Sequence, residues 1–421
     1  MIARSLGHRA STFPYLCGLW LDSSRLIIGG GGGAERSGRE NRLEVLTKNG
    51  ECLSSTRLED DPAIYLAKGS RYPHGVVVVG IRTISLYSLV DEDKLQLVTR
   101  LHEFVEERIL VAYATADYLV CTTAEEADGK QIYRLYLWFF EGKKLVDVHS
   151  VVLRIPSPPL FLNPMQMEKY THFHIVGRDG SVCIYRPPFM PDILSNLILM
   201  EDGETYMAPR IDQPESGFLP FVTGPISIES TSRGRESLRA LYPLQYTDEH
   251  PLKGHYVGYL ANARKASICL LDECGEIVKT RPLKRACGVA TYDPEHHVLY
   301  VLLANGQLLG FAADTLKPTL SFIGKEDSLL LEIVLNEEGT QYALLSPAGV
   351  EVCSVRPKNT ANRQALLLIL LLLFIIALGL AYRRAEHAGR DPLATYPGLR
   401  KLRDRLPRLK DQGCARCHRK G

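Results

Sequence analysis

Along residues 1–357 the apolar residues come in short runs that alternate with polar ones at a period of two, and turn residues end each run. SRLIIGG, GVVVVGIRTISLYSLV, DYLVCTT, QIYRLYLWFF, FHIVGRDGSVCIYR, HYVGYLA, ASICLLD and HHVLYVLLANGQLLGFAAD all have this form. Successive side chains of a strand point to opposite faces, so alternation rich in β-branched and aromatic residues predicts strands. The 3.6-residue period of a helix is almost missing here. A hairpin recurs within the pattern, at Ile175 to Tyr185, Leu302 to Phe311 and Leu344 to Cys353. Asp179-Gly180 and Asn305-Gly306 predict type I′ turns, in which both central residues take φ > 0.

Repeated hairpins of this kind resemble the blades of a WD-repeat-like β-propeller, although the Trp-Asp signature is missing. The expected fold is all-β, a seven-bladed propeller over residues 1–357. Seven blades of about 51 residues lie near the period of such repeats. Six blades of about 60 residues are the alternative, given the polar insertion at 200–236, and two stacked β-sandwiches are a second. Alternating α/β folds are excluded, because no long crossover separates the strands. The last blade offers three strands between about 328 and 354. A strand near Phe13 to Leu21 is expected to close the ring by joining it.

After a linker at 358–364 the pattern changes completely. Ala365 to Ala381 reads ALLLILLLLFIIALGLA, with no polar side chain, between Arg363 and the Arg383-Arg384 pair. Such a helix spans about 25 Å, close to the roughly 27 Å core of the endoplasmic reticulum bilayer. Its Leu, Ile and Phe residues favour insertion by about 4–8 kcal/mol. Residues 365–382 are therefore expected to form a single transmembrane helix, followed by a short basic tail at 383–421. The cationic side chains flanking the run, taken alone, put the C-terminus in the cytosol. The first twenty residues lack the apolar core of a signal peptide, which argues for the reverse. The expectation is a cytosolic propeller and a lumenal tail.

Net charge refines this division. The chain carries 50 Lys and Arg against 48 Asp and Glu, a net +2. The tail holds 12 cationic and 4 acidic residues, +8, which leaves −6 on the rest. The propeller lacks the basic footprint of a nucleic-acid binder, so no nucleic-acid partner is expected. Ten cysteines in 421 residues are too scattered for a disulfide framework. Cys17, Cys52, Cys121, Cys183, Cys269, Cys287 and Cys353 mostly sit in apolar runs, where a reduced thiol acts as a small hydrophobe.

The candidate chemistry lies in LIIGGGGGAERSGRENRLEVL, residues 26–46. Glycine loses much entropy on ordering, so five in a row (Gly29 to Gly33) point to backbone that approaches something closely or takes φ > 0. A flexible hairpin tip is the plain alternative. A P-loop is excluded, because Gly-Lys-Ser/Thr is missing and no helix follows. The run GGGGAERSGRENRL, in blade one of a propeller with one C-terminal anchor, resembles the COPII-initiating family of endoplasmic-reticulum guanine-nucleotide exchange factors for the Sar-type small GTPase. The motif covers about 14 residues; beyond it the resemblance is one of order of parts.

That resemblance implies an exchange loop made by Gly30, Gly31, Gly32, Gly33 and Gly38, with Ser37-Gly38 as the family's Ser/Thr-Gly pair and Asn41 as its asparagine. It also implies a potassium ion held largely by main-chain oxygens within Gly33 to Asn41. The implied partners are the Sar-type GTPase, the endoplasmic reticulum membrane and the COPII coat, and no covalent chemistry of the chain's own is expected. Glu35, Arg36 and Glu40 are charges added to the family pattern, read either as solvated or as helping to displace magnesium.

Other constellations are weak. His102-Glu103 with Glu106-Glu107 lacks the second histidine of a zinc-binding helix. His296-His297 falls in a turn and is expected to be exposed. Cys414, Cys417 and His418 have haem-attachment spacing, but no axial partner accompanies them, so no haem is expected; a lumenal disulfide, free thiols or a partial zinc site remain. The rival to an exchange factor is a membrane-anchored propeller scaffold that binds a protein partner without exchange activity. An enzyme that holds a nucleotide in the glycine-rich loop is a third reading.

Overall fold

The computed structural model describes residues 2–10, 13–32, 40–58, 61–69, 72, 74–90, 93–115, 117–141, 143–167, 170–187, 197–199, 205–207, 217–219, 225–230, 234–246, 250–283, 287–303, 307–323, 332–346 and 349–356. The predicted transmembrane helix and basic tail therefore lie outside the described residues. Among the described residues no helix is long and apolar enough to cross a membrane.

Seven antiparallel sheets follow one another along the chain and form the blades of a β-propeller. Blade 1 consists of Tyr15–Trp20, Arg25–Gly30, Asn41–Thr47 and Cys52–Leu58, in order from the channel outward. Blades 2 and 3 repeat this order over residues 65–103 and 108–152, and blade 6 over residues 287–323. Blade 4 takes its fourth strand, Gly217–Leu219, from inside the polar insertion, which also carries a small hairpin of Leu197–Leu199 and Thr205–Met207. Blade 5 has an extra strand, Ser227–Ser230, paired to its inner strand Gly234–Pro243.

Packing explains why the middle strands read as nearly continuous apolar runs. Each blade has a neighbour on both faces, so both sets of alternating side chains are buried. In the second strand of blade 1, Ile27 packs towards blade 2, whereas Leu26 and Ile28 pack towards blade 7. Among the described residues the buried apolar side chains form seven clusters, one in each seam between adjacent blades. The buried cysteines sit in these clusters, and burial pushes the Cys17 and Cys121 thiols well up, towards inert hydrophobes.

Ring closure differs from the sequence expectation. Blade 7 contributes Glu332–Leu335, Gln341–Ser346 and Gly349–Arg356, the three expected strands. The fourth is Ile2–Ala10, not the segment near Phe13 to Leu21, which becomes the inner strand of blade 1. IARSLGHRA reads poorly as a strand because an outer strand buries little, so it needs few apolar residues. Arg9 at its end donates to Glu44 of blade 1 (Nε to Oε2, 3.1 Å), and the Tyr15 hydroxyl donates to the same oxygen at 2.9 Å. Glu44 and Tyr15 are fully buried. On the channel side, the Gly18 N–H donates to Glu332 at 3.0 Å and Trp20 Nε1 to the Val334 carbonyl at 3.1 Å.

Antiparallel order also gives the ring two distinct faces. Links between blades and the turns joining second to third strands share one face, here the loop face. Contacts between link and turn recur there: Gly31 N–H to the Pro14 carbonyl, Arg82 and Thr83 N–H to Asp61, and Ser157 with Asp179. Ile2 is the register partner of Arg356, so both ends of the propeller lie on the opposite face. The Asp179-Gly180 turn is not type I′. Only Gly180 has φ > 0, because Asp179 Oδ1 accepts from the Ser157 and Ser181 hydroxyls and the Ser181 N–H and is held as a polar bracket. Asn305-Gly306 lies outside the described residues.

Two predictions follow from the closure and the core. Glu44→Ala leaves Arg9 and Tyr15 without their shared acceptor. Because Arg9 is partly exposed, the expected loss lies between the about 1 kcal/mol of a surface pair and the about 3–5 kcal/mol of a buried one, measured by denaturant unfolding.

The second concerns pH. Burial pushes the Glu332 carboxyl up to about 8, with the Gly18 N–H acting the other way. Burial pushes His174, packed edge-on to Tyr256, down to about 3. Between pH 4.5 and 8 the folded chain keeps a proton on Glu332 that the unfolded chain has released, so stability falls as pH rises. Below pH 6.5 the unfolded chain binds a proton that folded His174 does not, so stability falls as pH drops. The two oppose each other between 4.5 and 6.5, so stability forms a dome with its top there. Glu332→Gln should flatten the alkaline side, as read from unfolding curves at fixed pH. An unchanged slope would show that Glu332 is not its source.

Candidate functional site

The glycine-rich segment joins the second and third strands of blade 1, on the loop face. Its first glycines meet the protein's own scaffold. A Cβ on Gly29 would lie 2.8 Å from the Ala63 Cβ and 3.1 Å from Cys17 Sγ, in the seam with blade 2. At Gly30 it would lie 2.1 Å from the Pro14 carbonyl oxygen, where the inner strand is irregular between Tyr15 and Cys17. Gly31 has φ +154°, and a Cβ there would lie 2.1 Å from Asn41 Oδ1. The close approach read from the sequence is thus partly an approach to residues of the same chain. Gly32 is half-buried.

Asn41 opens the third strand, pairs with Leu58 of the outer strand, and is buried. Its carboxamide packs on Gly31, so the entry and exit of the loop touch. This neck brings Gly31 and Asn41 together. Gly33, Glu35, Arg36, Ser37 and Gly38 lie outside the described residues.

Glu40 lies exposed beside the neck. It accepts from Arg42 (Nε to Oε2, 2.7 Å, with Nη2 on the same oxygen), and Arg57 of the outer strand lies 3.9 Å away. The Arg42 hydrogen bond, helped by the charges of Arg42 and Arg57, holds the Glu40 carboxyl below its usual range. The pairing is a surface one, since Glu40 is exposed, and it is compatible with a solvated carboxylate. Residues two apart on a strand share a face, and Glu40 with Arg42 is a signal that sequence reading could have used. Pro14, the buttress under Gly30, carried no such signal, because its link reaches the loop only through the fold.

Oxygen is the donor type a potassium ion takes, and the neck supplies one buried side-chain oxygen, Asn41 Oδ1, beside the main chain. The main-chain oxygens of Gly33 to Gly38, which the resemblance assigns to that ion, lie outside the described residues. Among the described residues no three His, Cys, Asp or Glu side chains group as metal ligands. His102 packs against Phe104 and Trp138, and Glu107 accepts from Thr123 and Tyr136. His296 is exposed and bonded to Asp293, but His297 is half-buried and stacks on Tyr246. Cys414, Cys417 and His418 lie outside the described residues.

The architecture defines the chain as a seven-bladed, WD-repeat-like β-propeller. Saccharomyces cerevisiae Sqt1, whose crystal structure is similar over 85% of this chain and 100% of its own, has a TM-score of 0.53 at 11% identity. At that identity the likeness is one of fold alone. No protein-family model matches the sequence, and no curated protein matches it at a significant level.

If the neck is as tight as these distances say, Gly31→Ala must push Asn41 aside. The expected loss is about 1–3 kcal/mol, the range for overpacking a filled site, and Gly31→Ala with Asn41→Gly should recover only part of it, because the new Cβ would still lie 2.7 Å from the Asn41 Cα and φ +154° strains an alanine. Equal stability of Gly31→Ala and wild type in denaturant titration would contradict the neck.

Proposed function

We propose that this chain is a guanine-nucleotide exchange factor that releases GDP from the Sar-type small GTPase at the endoplasmic reticulum membrane, the step that starts COPII coat assembly. The observation that carries the reading is the neck: Gly31 and Asn41, both given by the resemblance, meet at the base of one loop on the loop face of blade 1. The rigid seams beneath it support a loop that must keep its shape while it works.

On this reading the chain makes and breaks no covalent bond. It lowers GDP affinity by binding the nucleotide-free GTPase better than the GDP form, and linkage makes the effect reciprocal. A thousandfold faster release needs about 4 kcal/mol of barrier reduction, within reach of non-covalent contacts between two proteins. Main-chain oxygens between Gly33 and Asn41 would hold a potassium ion, which would supply a fixed positive charge there. The run at 365–382 anchors the chain as a single-pass protein with the propeller in the cytosol.

The test is release of fluorescent GDP from a Sar-type GTPase by catalytic amounts of the full chain in detergent. Asn41→Ala removes an amide that can both donate and accept, at a cost of about 1–3 kcal/mol, and should slow exchange roughly 5- to 150-fold. Its melting temperature should change much less. Replacing potassium by sodium should also lower the rate. Release at the intrinsic rate with wild-type chain would leave the scaffold reading, a propeller that binds a protein partner without exchange activity.

A further inference from the structure

Across the channel mouth from the glycine loop, the loop face carries a second feature. A pocket of about 460 Å³ opens between blades 4, 5 and 6, inside the size range of ligand-recognition sites. It is hollow because its walls are short: Ala240, Ala261, Ala263 and Ala290 all line it. Leu160 on its rim is 45% exposed, an apolar residue with no cover.

The surroundings of the pocket are cationic. Arg239 lines it, and one of its N–H groups (Nη1) donates to the Arg178 carbonyl at 2.6 Å, which holds the guanidinium at the rim. Arg178 and Arg264 are exposed on adjoining turns, Arg235 is exposed at the start of the inner strand of blade 5, and Lys265 is half-buried. Among the described side chains the nearby carboxylates are Asp179, held by Ser157 and Ser181, and Glu236, which is buried. The whole propeller segment is net acidic, so this cluster is a local departure from the average.

We propose that this pocket is a second docking site for the protein partner that the glycine loop engages, and that it takes a bulky apolar side chain flanked by carboxylates. The proposal rests on the exchange reading above. An apolar hollow ringed by positive charge complements an acidic, apolar-tipped segment, whereas a nucleic acid would leave the hollow unfilled. Blades 4 and 5 lie farthest around the ring from blade 1, so a partner touching both sites straddles the channel mouth. A domain of 150–200 residues, about 40 Å across from its radius of gyration, is of suitable size.

The two sites have separable kinetic signatures. The loop acts on the nucleotide, whereas the pocket contributes contacts made equally before and after release, so it changes affinity and not the saturating rate. GDP release from a Sar-type GTPase is measured against increasing full chain in detergent, for wild type, Arg239→Glu and Ala263→Trp. Ala263 is on an exposed turn, so its variant fills the pocket without touching the core. Each should raise the half-saturating concentration about tenfold, as expected for a residue central to an interface, with saturating rate and melting temperature unchanged. Asn41→Ala should do the reverse. Folded variants whose half-saturating concentration stays within twofold of wild type would overturn the pocket proposal while leaving exchange intact. Variants that lose retention on heparin but exchange normally would mark a polyanion site and overturn it too. No acceleration by wild type would remove the exchange reading, and this proposal with it.

Discussion

Ring closure is the constraint on which the rest of the propeller depends. A blade has no core of its own; it buries each face only against a neighbour, so an open ring would leave two apolar faces in water. The seam between blades 7 and 1 is therefore fastened three times. Ile2–Ala10 completes the sheet of blade 7. Arg9 reaches Glu44 in blade 1, and Gly18 and Trp20 bond to the inner strand of blade 7. The loop neck is built on the same seam, because Pro14, which buttresses Gly30, directly precedes the inner strand of blade 1. A slack seam would loosen the loop before it loosened any distant blade.

Much of this was legible in the pattern of residues. Second and third strands, such as Gly75–Val79 and Val298–Leu303, are buried on both faces and announce themselves as unbroken apolar runs. Outer strands are not so marked. Cys52–Leu58 and Lys94–Glu103 alternate weakly, and Ile2–Ala10 carries Arg4, His8 and Arg9. Their position comes from backbone pairing with a third strand, which composition does not record. That is why the ring closure was placed on Phe13 to Leu21, an aromatic run whose apolarity belongs to an inner strand.

The candidate site shows the same limit on a smaller scale. Five glycines said correctly that something comes close, but not what. For Gly29, Gly30 and Gly31 the close neighbours are Ala63, Pro14 and Asn41, two of them distant in sequence and brought in by the links between blades. Asn41 was singled out through a resemblance, and the structure buries it close to Gly31. Glu40 is exposed, and its pairing with Arg42 is a surface contact that the loop's composition does not announce. The first three glycines and Asn41 thus pack against the protein's own scaffold at the base of the loop.

The strand that ends the propeller has a mechanical consequence. Gly349–Arg356 lies between Gln341–Ser346 on one side and Ile2–Ala10 on the other, so it is an interior strand of its sheet. Tension on the chain beyond Arg356, directed along that strand, loads both ladders in shear and strains many hydrogen bonds at once. An edge strand pulled from its end could instead be peeled one bond at a time. The N-terminal strand thus works as a brace as well as a seal, setting how much pull the propeller withstands from anything attached beyond Arg356.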